Sequence, residues 1–430
     1  MNKIIYSILF FFVLINYFDL TPAQTQPWYK LQSPVNVTLR FMSFVDSLTG
    51  WAAGEAGTII RTTDGGKNWE VQNSTVHTFI MDIFFIDRNN GWALSLKDEF
   101  PFTSVILKTT DGGINWLQKN FPDSSKLIRT IFFFDSLNGF VGGSYIAYTS
   151  DGGQSWTQAD VDSSLLSGFP VYRFNFFNRQ FGYACGGRID VAGVIWRTTN
   201  GGLNWSAQGV SADEVFDIHI LDSLNAITLS GDPEGLYPIA DLKTTNAGID
   251  WIYNELPYFG LSFRIDFRTY NEGWSASGYK FLLTTNRGET WTEFETPDSA
   301  VVYDLQFLNA RTGYAVGENG VILKLDPTLV GVEEYPTQPD EFILYQNYPN
   351  PFNPKTVISY QLPVNSTVAL KVYDILGNEV TTLVDEYKHF GKYEIEFDAL
   401  TGIGHLVSGI YFYQIRAAEF VETKKMLYLK

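Results

Sequence analysis

The sequence predicts an all-β protein, a seven-bladed β-propeller followed by a small immunoglobulin-like β-sandwich. A phrase of hydroxyl residues, Asp or Asn, a glycine turn and Trp recurs six times, with its Trp residues 40 to 49 positions apart. Aromatic residues make up 16% of the chain and charged residues only 18%, which suits many short strands joined by tight turns. Residues 341–430 then alternate between apolar and polar positions, as half-buried strands do.

The chain begins with a segment typical of secretion signals. Lys3 precedes an apolar run over residues 4–15, and small residues follow at 21–23. Asn16 and Asp19 end the run short of the roughly 20 apolar residues that a membrane-spanning helix needs. We therefore predict a signal peptide over residues 1–23. Since Cys185 is the only cysteine, the exported protein is predicted to fold without internal disulfides.

Each repeat has the pattern of a four-stranded blade. In residues 79–118, the segments 80–86, 92–96 and 105–108 are apolar and are separated by Gly, Asn and Asp turns, and a fourth strand begins near Trp116. Four short strands in each period of 40 to 49 residues is the pattern of a propeller.

The repeated phrase, called the box below, is predicted to be a structural hairpin. An Asp or Asn oxygen can accept amide hydrogen bonds within its own turn, glycines supply positive φ, and Trp buries a large ring. Because Asn replaces Asp in three copies, a carboxylate is not required at this position. The predicted structural residues are Asp64, Trp69, Asp111, Trp116, Asp151, Trp156, Asn200, Trp205, Asn246, Trp251, Asn286 and Trp291.

The seventh blade is predicted to combine both ends of the propeller. Residues 301–325 repeat the first three strands of a blade without a box. Residues 27–31 resemble the fourth strand, and Trp28 precedes Trp69 by one repeat length. Pairing these segments would remove both free sheet edges. We predict a propeller over residues 24–326, a linker over 327–340 and the sandwich over 341–430.

Aligning the first strand of every blade predicts a polar group near the mouth of the central channel, because side chains two residues apart share a face. The candidate binding residues are Asp82, Arg173, Asp217, His219, Arg264, Asp266 and Asp304. This group could bind a ligand, or it could be a ring of Asp–Arg pairs. A catalytic alternative uses two of the three carboxylates at 217, 266 and 304 as acid and base for glycoside cleavage. We assign no catalytic residue.

The two faces of the propeller are predicted to differ. The boxes and the first turn of each blade lie on one face, and long variable loops lie on the other. These loops mix aromatic and carboxylate residues, a composition found in glycan or peptide clefts, and cover residues 97–102, 160–172, 188–190, 232–237 and 257–260. We expect an unidentified glycan or protein ligand on this long-loop face.

Several partner classes are not expected. The formal net charge of −17 argues against nucleic acid, whose binding needs a basic face. Four His and one Cys have no metal-ligand spacing, so we expect no metal and no other cofactor. We expect a monomer.

The repeats resemble Asp-box (BNR) repeats, and the run at residues 50–69 is most similar to the propellers of photosystem II assembly factors. In such families the box is implied to be a rim hairpin and not an active site. Sialidases also contain Asp boxes, but with six blades, and they have an opening Arg motif that we do not find here. Xyloglucanase-like glycosidases use two facing propellers, whereas this chain has one.

Residues 341–430 resemble the type A C-terminal sorting domain of the type IX secretion system of Bacteroidota and relatives. The segments that carry this resemblance are Tyr348–Pro354, Val372–Gly377, Ser408–Tyr413 and Lys424–Leu427, in this order. The resemblance implies that the secretion machinery recognises the tail and that the protein reaches the medium or the outer surface of a Gram-negative bacterium.

Together these features predict a secreted or cell-surface, non-catalytic binding propeller. The alternative is a secreted glycoside hydrolase, sialidase- or xyloglucanase-like, that uses carboxylates at the channel mouth.

Overall fold

The protein was analysed as a computed structural model that describes residues 26–100, 102–162, 165–329, 342–363, 366–388, 391–400, 406–417 and 420–429. The chain divides into two compact units, residues 1–331 and 332–430. The predicted all-β class is confirmed, because the described residues contain strands and four short 3-10 turns, at 55–57, 165–168, 297–299 and 318–320, and no α-helix. No helix in these ranges could span a bilayer. The predicted signal peptide lies outside the described residues, as does most of the predicted linker.

The first unit is built from short strands that form separate, mostly antiparallel sheets. In chain order the strands are β1 Trp28–Lys30, β2 Leu39–Phe44, β3 Gly50–Gly54, β4 Ile59–Thr62, β5 Glu70–Gln72, β6 Asp82–Phe85, β7 Gly91–Leu96, β8 Ser104–Thr109, β9 Leu117–Asn120, β10 Ile128–Phe133, β11 Gly139–Gly143, β12 Ile146–Thr149, β13 Thr157–Gln158, β14 Asp160–Val161, β15 Val171–Phe176, β16 Gly182–Arg188, β17 Ala192–Thr198, β18 Asn204–Ser211, β19 Val215–Ile220, β20 Ala226–Ser230, β21 Pro238–Thr244, β22 Ile252–Phe259, β23 Arg264–Phe267, β24 Gly273–Ser277, β25 Lys280–Thr284, β26 Thr292–Glu295, β27 Val302–Asn309, β28 Thr312–Gly317 and β29 Ile322–Leu325.

These strands form seven sheets within the described residues, numbered here in chain order. Sheets 1 to 3 are β2–β5, β6–β9 and β10–β13, sheet 4 is β15–β18 with β14 on its edge, sheets 5 and 6 are β19–β22 and β23–β26, and sheet 7 is β27–β29 with β1. The first strands β2, β6, β10, β15, β19, β23 and β27 each contact the next, and β27 contacts β2. The first strands therefore form a closed ring around a central channel.

Sheet 7 joins the two ends of the propeller, as the sequence predicts. Trp28 is paired with Leu325 in an antiparallel register, so β1, the first strand of the described residues, is the outer strand of the last propeller sheet. The Trp28 ring is buried and stacks on Phe281, with centroids 5.0 Å apart, and meets Trp274 edge-on at 5.8 Å. Sheet 7 is thus fixed both by backbone pairing and by packing against sheet 6.

Aromatic stacking between neighbouring sheets forms much of the core. Trp51 of sheet 1 lies parallel to Phe85 of sheet 2, with ring centroids 3.5 Å apart, and Trp92 of sheet 2 stacks on Phe133 of sheet 3 at 3.7 Å. Each Trp follows the Gly that opens the second strand of its sheet, so a repeated sequence position produces a repeated contact. All four rings are buried.

The box is a hydrogen-bonded hairpin in every copy. The Thr62 hydroxyl donates to Asp64 Oδ1 (3.0 Å), Asp64 Oδ1 accepts the Asn68 amide (2.9 Å), and the Gly66 amide donates to Thr62 Oγ1 (2.9 Å). The same bonds recur in the other five copies, including those with Asn at the Asp position. Four box Trp rings are buried, whereas Trp156 and Trp251 are half-buried.

Parts of two predicted loops are strands instead. The predicted loop 160–172 contains β14, whose residues pair in parallel with Asn204 and Trp205 on the outer edge of sheet 4. The predicted loop 257–260 largely belongs to β22, which continues to Phe259. Both segments lack the strict alternation of a strand, because they lie on the outer edge of a sheet where few residues are buried.

The second unit consists of two antiparallel sheets that share one hydrophobic core. Its strands are β30 Ile343–Leu344, β31 Lys355–Leu362, β32 Ser366–Tyr373, β33 Glu379–Lys388, β34 Gly391–Asp398, β35 Gly409–Ala417 and β36 Phe420–Tyr428. One sheet has the order β30–β31–β34 and the other β33–β32–β35–β36. The Tyr413 hydroxyl is buried, accepts the Asn347 amide and donates to the Tyr345 carbonyl, each at 2.8 Å. This hydroxyl therefore links β35 to the segment before β31.

Candidate functional site

Five of the seven predicted site residues meet in the channel. Arg173 lies between two carboxylates, with its Nη1 3.9 Å from Asp82 Oδ1 and its Nε 3.8 Å from Asp217 Oδ1. Arg264 Nε lies 3.3 Å from Asp217 Oδ2 and 3.2 Å from Asp304 Oδ1. The Arg173 contacts are too long for hydrogen bonds and the Arg264 contacts lack hydrogen-bond geometry, so all four act as electrostatic contacts. The five side chains, called the ionic belt below, form a continuous chain of alternating charge.

The other two predicted residues, His219 and Asp266, lie two positions further along their strands than the belt residues Asp217 and Arg264. His219 Nδ1 is 3.2 Å from Asp266 Oδ1. Together with Asn175 and Gln306 they line a cavity of about 330 Å³ that also reaches Arg173. The alignment of first strands therefore identified channel residues in two layers, and the structure brings all seven side chains to the channel.

The channel carboxylates also connect neighbouring sheets. Asp82 Oδ2 accepts the amide of Ile131 in the next sheet at 2.9 Å, and Asp217 Oδ2 accepts the amide of Ile265 at 3.1 Å. Asp266 Oδ2 does the same for the Phe307 amide at 2.7 Å. First strands of adjacent sheets share no β-ladder, so these bonds are direct polar links between sheets.

Burial and neighbouring charges have opposite effects on the pKa values of the ionic-belt residues. Burial raises the pKa of Asp82 and of Asp304, against the lowering influence of nearby arginine. For Arg264, burial opposes the charge, but the carboxylates of Asp217 and Asp304 outweigh it and raise the pKa. The belt thus combines buried carboxylates with compensating arginine charge, and Asp82, Asp217 and Asp304 are no more than 5% exposed. A general acid or base must instead reach a substrate.

The structure reveals a second ring of residues that the alignment missed. One residue before the belt position, the side chains surround a wider opening on the long-loop side; this set, called the mouth ring, is Arg40, Met81, Arg129, Tyr172, Phe216, Phe263 and Tyr303. The opening has a volume of about 560 Å³ and is also lined by Phe41, Phe79, Glu55 and Arg173. Arg173 lines this cavity and the deeper one, so it stands at their boundary.

Contacts along the mouth ring are nearly continuous from sheet 4 to sheet 7. Tyr172 stacks on Phe216 with centroids 5.5 Å apart, and Phe216 lies 5.8 Å from Phe263. Phe263 meets Tyr303 edge-on at 5.1 Å. A guanidinium lies at each end of this aromatic arc, Arg129 5.6 Å from the Tyr172 ring and Arg40 3.9 Å from the Tyr303 ring.

β-Bulges explain why the sequence did not reveal the mouth ring. Strict alternation places neighbouring residues on opposite faces, so the residue before a channel residue should point away from the channel. In sheets 1, 3, 4, 5 and 7, however, the register shifts at this point. A bulge adds one residue to the strand and changes the direction of its side chain. As a result, Tyr172 and Arg173 both line the mouth cavity although they are adjacent.

Two carboxylates near the mouth, Glu318 and Glu55, accept hydrogen bonds from the protein. Tyr303 donates its hydroxyl to Glu318 Oε1 at 2.5 Å, and burial together with this bond raises its pKa to about 12. Glu55 Oε2 accepts the Thr38 amide at 3.2 Å. Arg40 and Arg129, by contrast, form no ion pair with any residue in the described ranges. Within the described part of the chain, no three His, Cys, Asp or Glu side chains are grouped as metal ligands.

Comparison with known proteins identifies the propeller. The family described as photosynthesis system II assembly factor YCF48 matches residues 20–79 and 69–237, about half of the chain. The chain belongs to this family. A relative from Nostoc sp., photosystem II assembly lipoprotein Ycf48, is 25% identical over 321 residues, covering 70% of this chain and 87% of the relative. The photosystem II stability/assembly factor HCF136 of Oryza sativa is 38% identical over 63 residues, 14% of this chain and 15% of that protein.

Solved structures support the same propeller fold. A structure titled YCF48 bound to D1 peptide has a TM-score of 0.57 at 21% identity and covers 70% of this chain and 97% of its own. The GH74 enzyme of Niastella koreensis has a TM-score of 0.54 at 14% identity, covering 93% of this chain and 74% of the enzyme. At these identities the similarity extends to the fold alone.

The second unit matches a different family. Residues 346–428 match the secretion system C-terminal sorting domain, which confirms the resemblance to the type IX sorting tails. A sorting domain of this kind implies that the protein is secreted and that its tail interacts with the type IX machinery. The family memberships of the two units therefore place a YCF48-type propeller on an exported chain.

Proposed function

We propose that this protein is an exported, non-catalytic binding protein whose propeller holds a peptide segment at the mouth ring. The observation that carries this proposal is the mouth cavity itself, which joins an aromatic arc to two unpaired guanidinium groups. Concave sites with apolar walls and a few polar groups are the usual binding sites of proteins. The predicted ligand on the long-loop face is assigned here to this opening.

The propeller family supports a peptide as the ligand. A YCF48 protein has been solved with a bound D1 peptide, and this chain has the same fold over most of its propeller. The sorting domain separates the present protein from photosynthetic assembly, because it directs the chain out of the cell. We therefore propose that this protein binds a peptide, as the YCF48 structure does, but outside the cell and from a different partner.

The channel carboxylates provide weaker support for a glycoside hydrolase. Asp217 and Asp266, two candidates for acid and base, each accept a backbone amide of the neighbouring sheet. Asp304 accepts the Met42 amide in the same way. These bonds give the carboxylates a structural role that needs no substrate. We therefore propose that the seven channel residues hold the ring together and that the mouth ring binds.

The export route extends this proposal. We propose that residues 1–23 direct the chain across the inner membrane and that residues 341–430 direct it across the outer membrane. The mature propeller would then act in the medium or at the outer cell surface, as a monomer.

A binding assay with mouth variants tests the proposed function. Secreted proteins from the native culture are digested to peptides and passed over the immobilised full chain, and retained peptides are identified by mass spectrometry. We expect specific peptides to be retained by the native protein and lost with Phe216→Ala combined with Phe263→Ala. Leu137→Ala, which changes a side chain 53% exposed on the box face, is the matched control. Equal retention by both variants would contradict the proposal.

A glycan panel tests the hydrolase alternative directly. The full chain is incubated with sialylated, xyloglucan and mixed-linkage glycans, and reducing ends are measured. We expect no release above background. Activity that disappears in Asp217→Asn or Asp266→Asn would favour the hydrolase, provided that both variants keep the native unfolding temperature.

A further inference from the structure

A smaller cavity lies beside the long loop of sheet 5, apart from the mouth ring. Its volume is about 100 Å³, and its lining includes Asp213, Asp232, Tyr237 and Tyr253. Asp213 belongs to the connection from β18 to β19, Asp232 and Tyr237 belong to the loop before β21, and Tyr253 lies on β22. Among the described residues, none lines both this cavity and one of the channel cavities. This cavity, called the side pocket below, is therefore a separate candidate site.

Asp232 organises the loop that forms one wall of the side pocket. Its Oδ1 accepts the Glu234 amide at 2.8 Å, and its Oδ2 accepts the Leu236 and Tyr237 amides at 2.6 and 2.9 Å. Burial opposes ionisation of this carboxyl group, but the three amides outweigh it and lower its pKa. The Asp232 carboxylate is therefore negatively charged at neutral pH, and it holds the Tyr237 backbone beside the cavity.

Asp213 supplies a second carboxylate to the side pocket. The residue is 6% exposed, and its Oδ1 accepts the Asp190 amide at 2.8 Å. Its backbone carbonyl accepts the hydroxyls of Ser211 at 2.7 Å and of Ser230 at 3.1 Å, which belong to sheets 4 and 5. These bonds fix the position of Asp213 between the two sheets. Its Oδ2 forms no hydrogen bond with any described residue, so this oxygen is free to accept one from a ligand.

The negative charge of the side pocket is not balanced by the protein. Among the described residues that line it there is no Lys, Arg or His, and neither Asp213 nor Asp232 forms an ion pair within the described ranges. Burial, together with the charges of Asp213 and Asp190, raises the pKa of the adjacent Glu214. Carboxylates that repel one another are stabilised by a nearby cation. A cation in the side pocket would therefore offset charge that the fold leaves uncompensated.

The two tyrosines give the side pocket walls that suit the same kind of ligand. Tyr237 is 66% exposed and Tyr253 49%, so both rings present surface to solvent. The face of an aromatic ring attracts a cation, and the apolar stem of a long basic side chain packs on such a ring. Carboxylates and aromatic rings together favour an ammonium or guanidinium group that is carried on methylene groups.

The size of the side pocket restricts the ligand further. Its volume of about 100 Å³ is well below the roughly 300 Å³ or more of most small-molecule sites, so it suits one side chain better than a sugar or a nucleotide. The formal net charge of −17 also favours encounter with a basic partner, because long-range attraction steers oppositely charged molecules together.

From these observations we propose that the side pocket binds a Lys or Arg side chain of a partner polypeptide. The cationic head lies between the carboxylates of Asp213 and Asp232, and the methylene stem packs on Tyr237 and Tyr253. This site goes beyond the proposed function and does not depend on it, because the mouth ring is lined by other residues and carries the opposite charge.

Capped tripeptides test the ligand class on the full chain. Acetyl-Gly-Lys-Gly-amide is compared with its Arg counterpart and with a norleucine counterpart, which has an apolar side chain without the charge. The protein carries fluorotyrosine, and fluorine NMR follows the signals of Tyr237 and Tyr253, assigned with Tyr237→Phe and Tyr253→Phe. We expect both signals to shift, with the Lys and Arg peptides bound about tenfold or more tightly than norleucine, as a charge-assisted contact allows. Equal binding of the Lys and norleucine peptides would overturn the proposal.

Calcium distinguishes a side-chain site from a metal site, because both could use two carboxylates. Calcium chloride is titrated into the same labelled protein, and the Lys peptide is then added. We expect the Tyr237 and Tyr253 signals to stay in place with calcium and to shift only with the peptide. Signals that shift with calcium, together with loss of Lys-peptide binding, would assign the carboxylates to a metal and overturn the proposal.

Matched variants separate the side pocket from general charge effects. Asp213→Asn keeps an oxygen for the Asp190 amide but removes one charge, so it should bring the Lys and norleucine affinities close together. Tyr237→Ala changes an exposed side chain that the fold does not need, and it should weaken binding of the Lys peptide, followed at Tyr253. Asp98→Asn removes the same charge from another exposed loop and should leave binding unchanged. Equal losses in Asp98→Asn and Asp213→Asn, or native binding by Asp213→Asn and Tyr237→Ala, would contradict the proposed site.

Discussion

Asp304 and Met42 join the last sheet of the propeller to the first. Asp304 Oδ2 accepts the Met42 amide at 2.8 Å although the two residues are 262 positions apart in the chain. Asp304 Oδ1 lies 3.2 Å from Arg264 Nε, so one carboxylate connects sheets 6, 7 and 1. The ring is therefore closed by this inner bond as well as by the outer pairing of β1 with β29.

Removing this bond should weaken the ring. Asp304→Ala leaves the Met42 amide buried without a partner and removes one carboxylate from Arg264, and we expect a loss of about 2–4 kcal/mol in the free energy of unfolding. Asp304→Asn keeps an oxygen for the amide and should lose less. Urea unfolding measures both, with the exposed Glu70→Ala as control. An Asp304→Ala protein as stable as the control would contradict the structural role.

The pairing of β1 with β29, which closes the propeller on its outer side, depends on the buried side chain of Trp28. Trp28→Ala removes the stack on Phe281 and leaves a cavity between sheets 6 and 7, for which we expect a loss of about 3–5 kcal/mol. Tyr29→Ala changes the exposed neighbour on the same strand and should have a small effect. Denaturant unfolding followed by Trp fluorescence compares the two, and similar midpoints for both variants would argue against closure by Trp28.

The lowered pKa values of the box carboxylates predict how the stability of the protein changes at low pH. Hydrogen bonds from Asn115, ahead of an opposing influence of burial, lower the pKa of Asp111 to about 2, and similar bonds lower the pKa of Asp64. A lowered pKa gives stability that is present above the ordinary value of about 4 and is lost as the pH falls towards 2. Replacing Asp64, Asp111 and Asp151 by Asn should therefore leave the unfolding temperature at pH 7 nearly unchanged, because three native boxes already use Asn.

Between pH 4 and pH 2 the two proteins should differ. The native protein has box carboxylates to protonate and loses that stability, whereas the triple Asn variant does not. Differential scanning calorimetry at several pH values measures the difference. A constant difference in unfolding temperature from pH 7 to pH 2 would show that the carboxylate charge contributes nothing to the boxes.

The buried Tyr413 hydroxyl of the second unit provides a test of export. Tyr413→Phe removes the hydroxyl that accepts the Asn347 amide and donates to the Tyr345 carbonyl, so it should destabilise the second unit by about 1–3 kcal/mol and reduce secretion. Val421→Ala, at a side chain 53% exposed on β36, is the control. The resemblance to type IX sorting domains also implies that the tail is removed after export, so mass spectrometry of the culture medium should find the native propeller without residues 341–430. An intact tail on the secreted protein would contradict removal after sorting.

The sequence by itself determined the features that depend on local chemistry. The box hairpins were predictable because the hydroxyl, amide and glycine groups that form them belong to a single turn. The spacing of the Trp residues was predictable because each repeat supplies the strands of one sheet. Trp28 could be placed on β29 because both ends of the propeller carry the same repeated pattern. The charged channel positions were also found, since alternation along each first strand is regular beyond the bulge.

Only the tertiary structure shows which groups those channel residues contact and which side chains surround the opening above them. The bonds from Asp82 and Asp217 join residues that are close only once neighbouring sheets have packed together, and the bond from Asp304 to Met42 forms only when the ring closes. The mouth ring was hidden because a bulge breaks the alternation on which sequence reasoning depends, and a single extra residue turned Tyr172 towards the opening. A bulge depends on how two strands pair, so neither strand alone reveals it.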